Sequence, residues 1–588
     1  MADLNDLCVM MLKQLWGALQ LRFPTSHTSS DASLLQDQFH EDVFRDHTRH
    51  PLVGRDVILR DVFEAIDRPA NLVVLQGLTG VGLSSLVSHF YKRLCAHVPE
   101  GMYVSAIHFV GGCPNSTESR VIMNRMATFL IKRFNMDQQL PLDYTELVRA
   151  FRDILCQAAT AAGPRRHIVL IIDALHMISS SHFGHMLQWL PEGLPATVHI
   201  LLTAVSDSEQ GQLLSRRLPQ QQIIDIPPLS RAGASELIST ILHDMNRALS
   251  VAQMQCILNK ADGMKPAFLS LSCQLVHDFG KFDRVFSLNE RLDAFVENLP
   301  QDLRMLGTTL VERFDEEFPK EEYGDLVEKV FCYAATSRDG LSDIELLDLL
   351  GNMEGGIIQP ISSMIWSRIF MSLAPFTMSA PPNQGRYVLF KHYCIVLAIQ
   401  RMYFADSARS LELWVKVYSF VQAKLRAQEK DSLDVASDAL KNVTARNLEE
   451  RYHSKLAKYF QLREQGDART SWTGVYPRAL QQLPHHLVTA RMWDKLVDTI
   501  TDLRFIEGKF RLGMGHDVIS DLIEALASAA PKSKSASSDK SAKLSNNHRK
   551  VIAMYQFVSQ HFQALLSEPR LVFQYAHAIF LHLICVTL

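Results

Sequence analysis

Residues 72–85 read LVVLQGLTGVGLSS, and the fold turns on them. A short apolar run enters a glycine-rich turn, and SLVSHFYKRL (85–94) follows with helical spacing. That order implies a buried strand, a turn whose backbone N–H groups can surround a phosphate, and a helix whose N-terminal dipole faces it. Gly77, four residues, Gly82 and then Ser84 occupy the fixed places of G-x-x-x-x-G-K-[ST], and Ser85 follows. Gly80 adds freedom inside the turn. One place departs: the lysine position is Leu83. In such a loop the lysine adds a point charge to the β/γ-phosphate oxygens and the hydroxyl binds Mg²⁺. Losing one charge-assisted bond costs about 1.5–3 kcal/mol. Nucleotide affinity would therefore fall roughly 10- to 150-fold, and transition-state stabilisation more.

The second station is RHIVLIIDALH (166–176): apolar residues ending in Asp173 make a buried strand that delivers a carboxylate to Mg²⁺ beside the loop. A second acidic residue, which would polarise attacking water, belongs just beyond. His176 stands there, either as a base or as a loop residue with no chemical task. Lys92 and Arg93 could not replace the missing lysine, because they lie more than two turns down the helix, about 15 Å along its axis.

Around these stations strands are expected at 72–76, 102–109, 167–172, 198–203 and 222–225. Helices are expected at 84–97, 117–134, 145–159 and 205–217. The alternation implies a mostly parallel sheet covered on both faces. Upstream, residues 1–50 read as a helix, a polar stretch (SHTSSDAS) and a second helix, LLQDQFHEDVFRDH. Residues 229–299 turn wholly helical. Residues 300–405 mix helices with short strands: Gly340 breaks the chain, Ser342 is an N-cap with Glu345 three residues on, and RYVLF (386–390) reads as a hairpin strand. Helix, turn, helix and hairpin outline a winged helix. Residues 406–527 are expected to be all-α, 528–547 (Ser/Lys-rich) a disordered linker, and 548–588 terminal helices.

Bulk properties bound the rest. At 588 residues the chain needs several domains. A net charge of −3 argues against a surface built for nucleic acid or anionic membrane. Nine cysteines without a C-x-x-C pair read as reduced thiols of a cytoplasmic protein with no structural metal. The apolar C-terminal run, FQYAHAIFLHLICVTL, is shorter than the roughly 20 residues a membrane helix needs, and reads as a core helix.

LVGRD (52–56), the glycine loop, HFVGGCPNSTES (108–119), IVLIIDALH, WLPEGLPATVHILLTAVSD (189–207) and IPPLS (226–230) together resemble the NACHT-type STAND class of P-loop NTPases. The branch is the one holding nephrocystin-3, telomerase protein component one and the NACHT/tetratricopeptide-repeat proteins. The resemblance covers about residues 25–525, with its specific motifs in the first 230. It implies an α/β P-loop NTPase domain (51–228), then a helical lid (229–299), a winged helix (300–405) and an all-α domain (406–527). It also implies ATP or ADP with magnesium, and assembly with protein partners or copies of itself. By resemblance Val53, Gly54 and Arg55 belong to the adenine side, and Gly77, Gly80, Gly82, Leu83, Ser84 and Ser85 to the phosphates. Ser84 and Asp173 belong to the metal, and Thr203 to a sensor strand. Pro266 is similar to a lid proline that packs on adenine, and equally to an ordinary first-turn proline. His392 resembles a winged-helix histidine that touches the β-phosphate in closed forms, and equally a core or capping histidine. The class works as a nucleotide-gated scaffold.

Leu83 and His176, the two places where catalytic charge belongs, point together to a degenerate NTPase domain acting as a scaffold; a working switch is the alternative. The candidate recognition helix, SDIELLDLLGNMEG (342–355), is acidic, which opposes nucleic acid. Relatives continue into a repeat array where this chain stops, so a shortened member is expected.

Overall fold

The computed structural model describes residues 29–67, 72–96, 102–112, 116–141, 143–178, 186–279, 288–353, 358–378, 387–404, 448–465, 476–528 and 538–577, with Gly184, Trp472 and Gly474 besides. The helix expected within 1–28 and the start of the all-α region, 406–447, lie outside these residues, as does most of the C-terminal apolar run.

Strands β1 (Leu72–Gly77), β2 (Tyr103–Phe109), β3 (His167–Asp173), β4 (Val198–Val205) and β5 (Ile223–Asp225) form one sheet in the order β2-β3-β4-β1-β5. Every pairing is parallel. Parallel neighbours need crossovers, and helices supply them: α1 (Ser29–His47) and α2 (Asp56–Asp67) precede β1, then come α3 (Leu83–Ala96), α4 (Ser119–Phe134), α5 (Tyr144–Ala162) and α6 (Glu209–Arg217). The strands are continuous apolar runs because both faces are covered. Alternate residues divide between two cores. Val74, Leu170, Ile172, Ile200 and Leu202 pack with Ile122, Met126, Phe151 and Ile154 of α4 and α5. Val73, Leu75, Val169, Ile171 and Leu201 pack with Leu59, Val62, Leu86, Val87 and Phe90 of α2 and α3.

Chain punctuation sits at the helix ends. Asp143, Ser208 and Ser230 cap α5, α6 and α7 (Arg231–Asp244) by accepting from the amides of Glu146, Gly211 and Gly233. A helical region continues with α8 (Val251–Leu258), α9 (Pro266–Asp278) and α10 (Leu288–Asn298). Next come α11 (Leu303–Glu317), α12 (Lys320–Tyr323), α13 (Leu326–Thr336), β6 (Leu341–Ser342), α14 (Asp343–Leu350), α15 (Ser363–Leu373), β7 (Tyr387–Val388) and α16 (Tyr393–Ile399). Ser342 and Glu345 form the capping box that their spacing predicts. β7 pairs antiparallel with β6, and Phe390 bridges to Thr377, so RYVLF joins two short antiparallel pairings.

The C-terminal helices are α17 (Leu448–Gln465), α18 (Pro477–Thr489), α19 (Trp493–Ile500), α20 (Leu503–Arg511), α21 (Gly515–Ser528) and α22 (Ser538–Ser567). Helix α22 corrects the linker expectation: residues 538–547 are its first turns. Ser and Lys are acceptable on a helix when an apolar stretch follows, here Val551, Phe557, Val558, Phe562 and Leu565, which are buried. One apolar core runs from Leu229 to Val572 through all these helices. No described helix is long and apolar enough to cross a membrane.

Candidate functional site

The loop between β1 and α3 keeps the phosphate-cradle geometry. Gly80 and Gly82 both sit at φ +88°, where a side chain would be strained. At Gly77 a Cβ would lie 2.8 Å from Val81 Cγ2 and 3.0 Å from the Ile226 carbonyl, so only glycine fits. The turn closes through Val81 N donating to Leu78 O at 3.2 Å, and α3 begins with Leu86 N donating to Gly82 O at 3.0 Å. Ser84 and Ser85 are half-buried at the head of α3. Leu83 is 9% exposed and belongs to the apolar core with Val81, Leu86, Phe109 and Ile226. The lysine place is therefore packing material.

Arg55 holds this loop from behind. It is buried, donating through Nη1 to Pro227 O at 2.6 Å and through Nη2 to Val81 O at 3.1 Å. Gly54, at φ +63°, lets the chain approach α7: its missing Cβ would lie 3.6 Å from Gly233 Cα. Val53 is buried beside it. Arg93 is engaged in an exposed pair with Asp56 at 2.9 Å.

Asp173 ends β3 fully buried, accepting from Thr203 Oγ1 at 2.6 Å. Thr203 Oγ1 in turn accepts from Ala174 N at 2.7 Å. Ala174 takes the left-handed conformation, φ +56°, which turns the chain into a short 3₁₀ turn carrying His176. Burial lowers the His176 pKa against the pull of Asp173 and Asp207, and its Nδ1 has no partner among the described residues. The neutral ring is thus favoured.

Two histidines from distant segments close on the same place. His47, in the last turn of α1, lies 5.7 Å ring to ring from Phe109, which pairs with Asp173 across the sheet. Burial lowers its pKa, while the carboxylates of Asp173 and Asp46 pull it up and Lys391 pushes it down. His392, at the N-cap of α16, is pushed down to about 4 by burial, then by Lys391 and His47. Lys391 Nζ stands 3.8 Å from Asp46 Oδ2.

From the opposite side α9 presses on the loop. Ala267 N donates to Gly80 O at 3.1 Å. A Cβ on Gly82 would lie 3.3 Å from Pro266 Cγ, and one on Gly80 would lie 2.8 Å from Leu303 Cδ2. Pro266 therefore rests on the glycine loop, at N1 of its helix. Nothing in the residue pattern singles out His47, Lys391 or Leu303. Their only signal is helical apolar spacing, which does not identify a partner surface.

Residues 51–214 match the family model described as an AAA ATPase domain. Telomerase protein component 1 of Rattus norvegicus is 22% identical over 594 residues, covering 97% of this chain and 20% of that protein. Nephrocystin-3 of Mus musculus is 24% identical over 290 residues, covering 48% of this chain and 21% of that protein. The chain thus spans about a fifth of the length of these curated relatives. A STAND protein with a tetratricopeptide-repeat sensor from Pyrococcus horikoshii is similar at 10% identity and a TM-score of 0.37, over 90% of this chain and 75% of that one. Residues 51–214 thus match a P-loop ATPase domain, and the chain is similar to NACHT/STAND-type P-loop NTPases.

The donors of this P-loop domain fit phosphate and magnesium in part. Backbone amides of the glycine loop, with Ser84 and Ser85, would hold phosphate oxygens, and Ser84 with Asp173 offers the hard oxygen ligands magnesium takes. Magnesium would supply charge neutralisation to the bound phosphates. The chain's own residues contribute shape and hydrogen bonding there: Leu83 brings no charge and His176 favours its neutral form.

Proposed function

We propose that this chain is a NACHT/STAND scaffold whose NTPase domain works by shape, with little or no hydrolysis, and presents its helical regions to protein partners. One observation carries the reading: Leu83, in the lysine position, is part of the apolar core of the loop and its helix. A site built to hydrolyse ATP needs positive charge on the γ-phosphate and a carboxylate or its equivalent to orient water. Leu83 brings no charge, and His176 offers only a neutral, burial-weakened imidazole where the carboxylate would stand. Three residues from outside the sheet close on the loop and on Asp173, namely Arg55, Pro266 and His47, and His392 stands in the field of His47. That convergence supports a role in which the NTPase domain organises its neighbours. Steady ATP turnover by the purified chain, above a no-enzyme background, would refute it.

A nucleotide-gated switch is the second reading, favoured by the retained cradle, Ser84 and Asp173 under a lid in direct contact with the loop. Calorimetric titration with ADP, with and without magnesium, separates the two: tight, magnesium-dependent binding supports the switch. A nucleic-acid role through α14 finds no support in that helix. Its acidic residues face inward: Asp343 accepts from Trp366 Nε1 at 3.1 Å, Glu345 pairs with Arg478 at 2.7 Å, and Asp348 pairs with Arg463 at 2.9 Å.

A further inference from the structure

Far along the chain from the glycine loop, three histidines converge between two C-terminal helices. His453 of α17 and His485 and His486 of α18 each present a ring nitrogen, and these atoms lie within 4.8 Å of one another. His453 Nδ1 faces His486 Nδ1 at 2.8 Å. The ring centroids are 5.1, 5.4 and 5.9 Å apart. Three imidazoles bound tetrahedrally to one zinc ion, with Zn–N of about 2.0–2.1 Å, place their centroids about 5.2 Å apart and their nitrogens about 3.3 Å apart. Two of the ring spacings match that value and the third, 5.9 Å, is wider; as an ion enters, the close nitrogen pair opens by about half an ångström and the nitrogens that stand up to 4.8 Å apart close.

Three further observations fit a metal. His453 and His486 are buried, so their facing Nδ1 atoms are shielded from water. Two facing Nδ1 atoms can share only one proton, and a metal ion between them replaces it. His485 Nδ1 lies 3.5 Å from the Glu524 carboxylate of α21, the outer-shell partner that orients a ligating histidine. The side chain of His485 is 26% exposed, which leaves an entry path.

We propose that His453, His485 and His486 bind one divalent transition-metal ion, zinc by its preference for imidazole, with Glu524 orienting His485 and a fourth position left for water. The ion clips α17 to α18 and, through Glu524, to α21. This revises the expectation of no structural metal. The adjacent histidines of LPHHL were visible in the sequence, but the third ligand stands 32 residues upstream of His485 on another helix, at no recognised zinc spacing.

The test uses the full chain, stripped with a chelator, free of nucleotide, and titrated with Zn²⁺ against a chromophoric competitor. Wild type should bind one ion per chain with sub-micromolar affinity and show a raised Tm. His485→Gln, at a half-exposed position, should weaken that binding at least 100-fold. Glu524→Gln, which leaves all three ligands in place, should weaken it 10- to 100-fold, and it supplies the readout if His485→Gln fails to fold. Co²⁺ in wild type should give a tetrahedral visible spectrum. Absence of binding below micromolar zinc, or equal affinity in wild type and both variants, would overturn the proposal.

Discussion

Arg55 donates to the backbone carbonyl of Val81 at 3.1 Å and, through its other terminal nitrogen, to that of Pro227 at 2.6 Å. One side chain thus joins the glycine loop to the segment that leads into α7. Val81 and Pro227 are far apart in sequence, and few other side chains could reach both carbonyls at once. The fork needs a planar, permanently charged donor. Arg55→Ala leaves the buried Val81 carbonyl and the part-buried Pro227 carbonyl without this partner and should cost about 1–3 kcal/mol. Arg55→Lys should recover less than half of that. Urea unfolding of the three proteins checks the order.

Glu118 and Arg338 form a second link, at 2.5 Å, between the NTPase domain and the turn after α13. Both side chains are largely buried. Breaking such a pair from one side strands a charge and costs about 3–5 kcal/mol. Arg120 nearby is buried with no hydrogen-bond partner for its guanidinium among the described residues, and Glu118 is the first of the carboxylates that favour its charge. Glu118→Gln should therefore destabilise more than Arg338→Met, and the double variant less than the sum of the two. A double-mutant cycle on unfolding free energies measures the coupling.

The capping box at α14 serves two tasks of unequal size. Ser342 accepts from Glu345 N at 3.3 Å, a local bond worth about 1 kcal/mol. Glu345 also accepts from Tyr476 at 2.6 Å and from Arg478 at 2.7 Å while fully buried. Ser342→Ala should lower stability by about 1 kcal/mol, and Glu345→Ala by about 3–5 kcal/mol. Only the second should loosen α18, read as faster proteolysis within residues 476–489.

Acid should weaken the fold in a defined window. His392 is pushed down to about 4 in the folded protein, and His108, fully buried, to about 3. Below the unfolded value near 6.5 the unfolded chain takes up protons that the folded chain refuses. Their contribution is complete above pH 7 and is lost as pH falls from about 6.5 toward 4, at no more than about 1.4 kcal/mol per pH unit for each ring. Carboxylate protonation adds to any acid loss, so the informative quantity is a difference. His392→Gln should flatten the urea midpoint between pH 7 and 4.5 relative to wild type.

The NTPase sheet was legible because each strand announces itself twice, as an apolar run and as a partner to a flanking helix. Leu72–Gly77 and His167–Asp173 could be read to within a residue. Helix α22 was legible only from residue 548 on: its first turns, 538–547, are Ser/Lys-rich, and the apolar face from Val551 onward holds them in place. At the site, Gly77, Gly80, Gly82 and Asp173 declared themselves because their roles are local. Leu83 could be seen as a missing charge, but its place in the core needed Phe109 and Ile226 beside it. His47 stayed hidden because it reaches the field of Asp173 only after a helix from far upstream folds back onto the sheet.

The central claim is that charge was lost at Leu83 and His176 while shape was kept. The direct measurement is ATP turnover, with nucleotide affinity, for the native chain beside a Leu83→Lys, His176→Asp double variant. The account predicts background turnover by the native chain, and binding or turnover at least 10-fold higher in the double variant, the low end of the effect of one restored charge-assisted bond. Turnover by the native chain equal to or above that of the variant would contradict it.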